Sequence, residues 1–296
     1  MKKIYLIGEN IKDSPSPAIH NAALAYLNMS NEYIYELMPV AEKNFDALIQ
    51  KLKKNHDLVG FNITKPYKTK ILEYLDEADI FTKRCGACNV VKLINGRFIG
   101  KNTDGYGFVM PLIRRGITLK GKTILFFGAG GAARAAILQS INNGIGKIII
   151  INRTLANAER LKEEIINVTK FKSENFLIFN FSDLQNNKIK CIILETDIIV
   201  NATSAFQNGG EFPVNLPEHC FKREHVIYDL SYYENIDCDF LSKAQDAGSQ
   251  IIRGLDMLVY QGLLSFFEWT GKKPPVCVYT QAVNELRKNI CIAMAQ

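Results

Sequence analysis

KTILFFGAGGAARAAILQSINNG, residues 122–144, joins an apolar run to a glycine-rich turn and then to an alanine-rich helical pattern that ends at a glycine. Thr123–Phe127 reads as a buried strand, and the turn between strand and helix is Gly128, Ala129, Gly130, Gly131, Ala132 and Ala133. In that strand–turn–helix setting the pattern points to a doubly wound, dinucleotide-binding sheet. Gly128 allows the tight turn, Gly130 lets the backbone approach a pyrophosphate, and Ala133 stands where helix meets strand. The anion would sit at the helix N-terminus, where unpaired N–H groups and the helix dipole attract it.

The end of the next strand, KIIII, bears on which dinucleotide is held. Asn152, Arg153 and Thr154 follow it, with no acid before Glu159. A carboxylate here holds ribose hydroxyls, whereas an arginine suits a 2′-phosphate through charge-assisted, bidentate bonds. The expectation is NADP, with NAD left open.

Outward from this turn, strand and helix patterns alternate along the whole chain, which predicts an α/β protein with largely parallel sheet. KIYLIG, EYIYEL and LVGFNI read as strands separated by the helical stretches PAIHNAALAYLN and AEKNFDALIQKLKK. Two further helical stretches are expected before NVVKLINGRFIG, a hairpin around Asn95-Gly96. After the glycine turn come the strands LIFNF, DIIVNA, HVIYDL and QIIRG, and from Leu255 two helices that no strand follows. The predicted organisation is residues 1–104 plus 255–296 as a substrate-binding, catalytic domain and 105–254 as a Rossmann-type NADP-binding domain. The C-terminal helices would pack back on the first domain.

GFNITKPYK, residues 60–68, sets polar side chains at alternating positions before a proline that stops the strand. Lys68 at such a strand end is a candidate proton donor and acceptor, and Asp104 in KNTDG is its candidate acidic partner. Ser14 and Ser16, just ahead of a helix, are suited to capping it or to binding a carboxylate. His20 is read as a packing residue.

The 296 residues suffice for two domains, and 47% apolar with 22% charged residues is a globular composition. No run reaches the roughly 18–20 apolar residues that span a bilayer, and MKKIYLIGEN lacks the apolar core of a signal peptide. Seven irregularly spaced cysteines argue against a disulfide framework, and the lone Cys85–Cys88 pair against a zinc or haem site. The net charge of +6 is scattered, without the basic stripe that nucleic acid requires. A cytoplasmic enzyme with a small-molecule substrate, a monomer or homodimer with no metal, no membrane and no nucleic-acid partner, is expected.

SPSPAIHN (14–21), GFNITKPYK (60–68), GACN (86–89), GKNTDGYG (100–107), GAGGAARA (128–135), NRT (152–154), NATS (201–204), YDLSY (228–232) and GLDMLVYQGLLSF (254–266) together resemble the shikimate dehydrogenase family, in that family's order. The resemblance implies NADP-linked interconversion of shikimate and 3-dehydroshikimate in aromatic amino acid biosynthesis. It matches Lys68 and Asp104 to the catalytic pair and Ser14, Ser16 and Tyr232 to the carboxylate site. Asn62, Thr64, Asn89 and Gln261 match groups that grip ring hydroxyls, and Leu230 and Gly254 match the nicotinamide end. The chain departs from the family at Glu9-Asn10, at Val90 where threonine is usual, and at Asn157 where a second basic residue is common. The loops after Ser204 and Tyr232 also differ. An NAD-dependent quinate/shikimate dehydrogenase and a non-catalytic dinucleotide sensor are the alternatives.

Overall fold

The computed structural model describes residues 1–183, 186–203, 216, 218–231 and 239–294. The chain forms two compact units, Met1–Gly107 with Leu258–Gln296, and Phe108–Met257.

The first unit begins β1 (Lys2–Gly8), α1 (Ser16–Tyr26), β2 (Tyr33–Pro39), α2 (Glu42–Lys53) and β3 (Leu58–Ile63). Each strand is an apolar-rich run and each helix carries an apolar stripe: α2 buries Phe45, Ile49 and Leu52, spaced to share one face. The segment after β3 differs from expectation. In place of two helices it has a 3₁₀ turn at Lys70–Tyr74, a two-residue strand β4 (Glu77–Ala78), and only then α3 (Ile80–Cys85). Asp76 exchanges bonds with Phe98, its N–H donating to the Phe98 carbonyl and its Oδ2 accepting the Phe98 N–H, which draws this stretch onto the sheet edge as β4.

β5 (Val90–Ile94) and β6 (Arg97–Lys101) form the expected hairpin. Asn95 and Gly96 both take positive φ, 51° and 74°, the geometry a two-residue type I′ turn needs. α4 (Asp104–Arg114) follows and continues through Pro111.

The sheet of the first unit has the order β2-β1-β3-β5-β6-β4. It is mixed rather than largely parallel: β1 runs parallel to β2 and β3, while β3/β5 and β5/β6 are antiparallel. The hairpin enforces this, since two strands joined by two residues must run antiparallel.

The second unit continues β7 (Thr123–Phe127), α5 (Gly131–Asn142), β8 (Lys147–Asn152), α6 (Leu155–Val168) and β9 (Phe176–Asn180). α7 (Asn186–Leu194), which the sequence reading omitted, precedes β10 (Ile198–Asn201), β11 (Val226–Asp229), α8 (Asp239–Asp246) and β12 (Gln250–Arg253). The order β12-β11-β10-β7-β8-β9 is parallel throughout. Buried on both faces, TILFF and IIII are continuous apolar runs rather than alternating ones. Strand order reverses between β7 and β10, which makes their carboxyl ends the topological switch point where ligands bind.

α9 (Gly254–Thr270) and α10 (Val276–Met294) complete the chain. α9 docks on the first unit's sheet through Trp269, whose Nε1 donates to the Val91 carbonyl at 3.0 Å. Gly60 makes this possible: a Cβ there would stand 2.2 Å from that carbonyl oxygen and 2.6 Å from Trp269 Nε1.

Candidate active site

β3 ends at Ile63 and the chain turns at Thr64, whose N–H donates to Ile7 and whose carbonyl accepts the Tyr67 N–H, both at 2.9 Å. Lys68 follows one residue later, its carbonyl accepting the Cys88 N–H at 2.8 Å. That bond ties the lysine's backbone to the segment that delivers Asn89. Asp104 opens α4, where the helix dipole favours a carboxylate, and its N–H donates to Asn102 Oδ1 at 3.0 Å.

These elements bring Lys68 and Asp104 together. Lys68 Nζ donates to Asp104 Oδ2 at 2.6 Å, with the lysine side chain 31% exposed and the aspartate 11%. Asn89 Nδ2 donates to Asp104 Oδ1 at 2.9 Å, so each carboxylate oxygen has its own donor. A carboxylate held at both oxygens keeps one orientation, and the ammonium beside it is partly shielded from water while still reachable.

The other residues expected to grip hydroxyls surround this pair. Asn89 Nδ2 also lies 2.8 Å from Thr103 Oγ1 and 3.2 Å from Gln261 Oε1, and Asn89 Oδ1 accepts the Thr103 N–H at 2.7 Å. Asn62 Nδ2 donates to the Asn89 carbonyl at 2.9 Å, and Asn62 Oδ1 accepts the Tyr35 hydroxyl at 2.8 Å. Ser265, one turn beyond Gln261 on α9, bonds Thr103 at 3.2 Å and Asn62 at 3.3 Å. Lys68, Asp104, Asn89, Asn62 and Gln261 thus form one network inside the first unit. Thr64 lies in the turn between Asn62 and Lys68.

Ser14 and Ser16 stand at the start of α1, Ser14 Oγ 3.2 Å from Ser16 Oγ and accepting the Ser16 N–H at 3.3 Å. Ser14 thus holds the first helical N–H, but Pro15 occupies the cap position and no side chain caps the helix there, so the capping expected of the two serines is not what the structure shows. Ser16 is buried, as are Tyr35 and Asn62, and the Tyr35 hydroxyl donates to Asn62. Tyr232, the third expected carboxylate contact, lies outside the described residues.

His20 is buried, stacked 4.4 Å from the Tyr35 ring, with Nδ1 3.1 Å from the Tyr279 hydroxyl. Burial pushes its pKa down to about 3, so it stays neutral and packs. Cys85 and Cys88 are both buried, and burial pushes the Cys88 thiol up to about 12, far from a reactive thiolate. Among the described residues no three His, Cys, Asp or Glu side chains are grouped to hold a metal.

In the second unit, Gly128 has φ +99°, and a Cβ on it would lie 3.1 Å from the Ala202 carbonyl. Only glycine meets both demands. α5 starts at Gly130 and Gly131 with no side-chain cap and no acid in its first turn, and a Cβ at either glycine would meet nothing within 4 Å among the described residues. The uncapped first N–H groups of α5, beside Ala129 and Ala132, could hold a pyrophosphate. At the end of β8, Asn152 Nδ2 donates to the Thr154 carbonyl at 2.8 Å and Asn180 Nδ2 to the Arg153 carbonyl at 3.0 Å. These bonds fix the backbone there and leave the Arg153 side chain exposed for a phosphate. Leu230 and Gly254 follow β11 and β12 directly, on the same carboxyl edge.

Sequence reasoning did not single out Tyr35, Thr103 or Ser265. Thr103 sits in GKNTDGYG beside Asp104, and Ser265 is spaced by one helical turn from Gln261, so both carried a signal. Tyr35 in an alternating strand carried none.

Three family models match the chain: "Shikimate dehydrogenase substrate binding domain" over residues 6–91, "Shikimate / quinate 5-dehydrogenase" over 112–239, and "Shikimate 5'-dehydrogenase C-terminal domain" over 254–283. A protein of Methanococcus maripaludis (strain C6), shikimate dehydrogenase (NADP(+)), is 38% identical over 285 residues, 96% of each chain. A shikimate dehydrogenase solved in complex with NADP+ superposes with a TM-score of 0.84 at 34% identity, covering 96% of this chain and 95% of that one. Shikimate 5-dehydrogenase from Listeria monocytogenes, solved with shikimate and NAD, gives 0.86 at 31% identity, covering 95% and 96%.

Proposed function

The chain belongs to the shikimate dehydrogenase family, and from that premise we propose how its own residues carry out the family's reaction. It is an NADP-dependent alcohol oxidoreductase that reversibly reduces 3-dehydroshikimate to shikimate, a step of chorismate and aromatic amino acid biosynthesis. The observation that carries the mechanism is the 2.6 Å contact of Lys68 Nζ with Asp104 Oδ2, whose other oxygen Asn89 holds.

When bound, the nicotinamide supplies the hydride for reduction and takes it up in oxidation. Everything else falls to the protein. As the carbonyl becomes an alcohol its oxygen gains negative charge, and the Lys68 ammonium is the acid that stabilises it and delivers a proton. In the reverse direction the amine takes the hydroxyl proton. Asp104 orients the ammonium and accepts a hydrogen bond from the reacting hydroxyl. Asn62, Thr64, Asn89 and Gln261 hold the ring hydroxyls, and a site lined this way rejects analogues lacking them because its polar groups are left unpaired. Ser14, Ser16 and Tyr232 receive the carboxylate. The Gly128–Ala132 turn takes the pyrophosphate, and Asn152, Arg153 and Thr154 take the 2′-phosphate side. Leu230 and Gly254 line the nicotinamide end.

NAD is the second reading for the cofactor. Asn157 offers no second cation, and the Listeria relative was solved with NAD. The protein acts in the cytoplasm as a monomer or homodimer. Among the described residues the free thiols Cys88, Cys191, Cys220 and Cys277 are in keeping with a reducing compartment.

Initial rates with shikimate and quinate, each with NADP+ and NAD+, test the assignment. The highest kcat/KM is expected for shikimate with NADP+. Faster turnover of quinate with NAD+ would overturn it.

A further inference from the structure

Asn201 ends β10 and Asp229 ends β11, paired in register in the parallel sheet. Both are buried, at 0% and 3% exposure, and Asn201 Nδ2 donates to Asp229 Oδ1 at 2.9 Å. Their remaining oxygen lone pairs serve the turns that follow. Asn201 Oδ1 accepts the Thr203 N–H at 3.1 Å and the Thr203 hydroxyl at 2.7 Å. Asp229 Oδ1 accepts the Ser231 N–H at 3.1 Å, and Oδ2 the Ser231 hydroxyl at 2.6 Å. Burying a carboxylate is unfavourable, and apolar side chains could have filled the same space. What a polar pair does and an apolar pair cannot is fix the backbone of both turns at once.

Those turns lie against two glycines of the carboxyl edge. A Cβ on Gly128 would lie 3.1 Å from the Ala202 carbonyl, and one on Gly254 would lie 2.5 Å from the Ser231 oxygen and 2.6 Å from the Leu230 oxygen. In a doubly wound sheet the halves on either side of the switch point each receive one nucleotide. Arg153 marks the β8 side of β7 for the phosphorylated ribose, while β10, β11 and β12 lie on the other side. The second nucleotide therefore falls to the turns after β10 and β11.

We propose that the Asn201–Asp229 pair is a positioning device for the nicotinamide half of the cofactor, acting through the Ala202–Thr203 and Leu230–Ser231 turns. The proposal rests on the NADP reading given above. It makes Asn201 and Asp229 determinants of cofactor binding even though both act from behind the surface that meets the cofactor.

Calorimetric titration of the purified protein with NADP+ and with 2′,5′-ADP, which lacks the nicotinamide half, separates this from a general structural role. Asp229→Ala and Asn201→Ala are each expected to weaken NADP+ by about tenfold or more, and to leave 2′,5′-ADP within about twofold. The double variant should fall no further than the weaker single one, because the pair acts as a unit. Ser231→Ala, which removes one hydroxyl, should show a smaller loss of the same selectivity, and it serves if the alanine variants do not fold. Unchanged NADP+ affinity, or equal losses for both ligands, would overturn the proposal. Wild-type protein that binds neither ligand would instead count against the NADP reading itself.

Discussion

The Asn89 side-chain amide has two N–H groups and three acceptors within reach: Thr103 Oγ1, Asp104 Oδ1 and Gln261 Oε1, the last the most distant at 3.2 Å. The first two bonds hold Asp104 in place, and Gln261 is the partner most readily given up to a substrate hydroxyl. Tyr35 plays a similar supporting part, since its hydroxyl fixes which end of the Asn62 amide faces the site. Removing that hydroxyl leaves Asn62 Oδ1 without its donor inside a buried network, a loss of about 1–3 kcal/mol. Tyr35→Phe is therefore expected to raise the KM for shikimate by about tenfold while the KM for NADP+ stays put, as steady-state kinetics would reveal. At this scale the sequence was legible wherever a polar residue sat inside a recognisable stretch, as with Lys68, Asn89 and Asp104. Tyr35 was not, because a tyrosine on an alternating strand looks the same whether its hydroxyl meets water or an asparagine.

Among the elements, α9 carries Gln261 and Ser265 into the network and Trp269 onto the sheet, so its seating on β3 and β5 decides where the polar face points. Gly60 permits that approach. Gly60→Ala places a methyl 2.2 Å from the Val91 carbonyl oxygen, and neither the strand backbone nor the buried indole can move aside freely. Overpacking of this kind destabilises by about 1–3 kcal/mol. Urea denaturation followed by Trp269 fluorescence should show the loss, with a weakened affinity for shikimate alongside it. Elements with strong periodicity or a defined turn, such as α2, β7, β8 and the Asn95-Gly96 hairpin, were readable from local pattern. α7 was not, because in NNKIKCIIL the first three residues are polar and the apolar ones cluster near the end. The mixed pairing of the first sheet followed from the hairpin, yet strand alternation alone masked it.

On the scale of the whole molecule, each unit has its own sheet and its own share of the chemistry: the Lys68–Asp104 network belongs to the first, the glycine turn to the second. Stability of the first unit should respond to pH through His20. Burial holds its folded pKa near 3 against a usual 6.5, so below pH 6.5 the unfolded chain binds a proton that the folded one excludes. The neutral-histidine fold is at full strength above pH 6.5 and loses about 1.4 kcal/mol per pH unit as pH falls from there toward 3. Denaturation at pH 7 and pH 5 should differ accordingly, and His20→Gln should flatten the difference.

The central claim is that the Lys68 amine moves the proton of the reacting hydroxyl. Purified Lys68→Ala and wild-type protein can be compared by the appearance of reduced cofactor from shikimate and NADP+, with shikimate affinity measured on the same samples. The account predicts a fall in kcat of about a hundredfold to ten-thousandfold with shikimate still bound within a few-fold of wild type. A variant that turns over within about tenfold of wild type would contradict it.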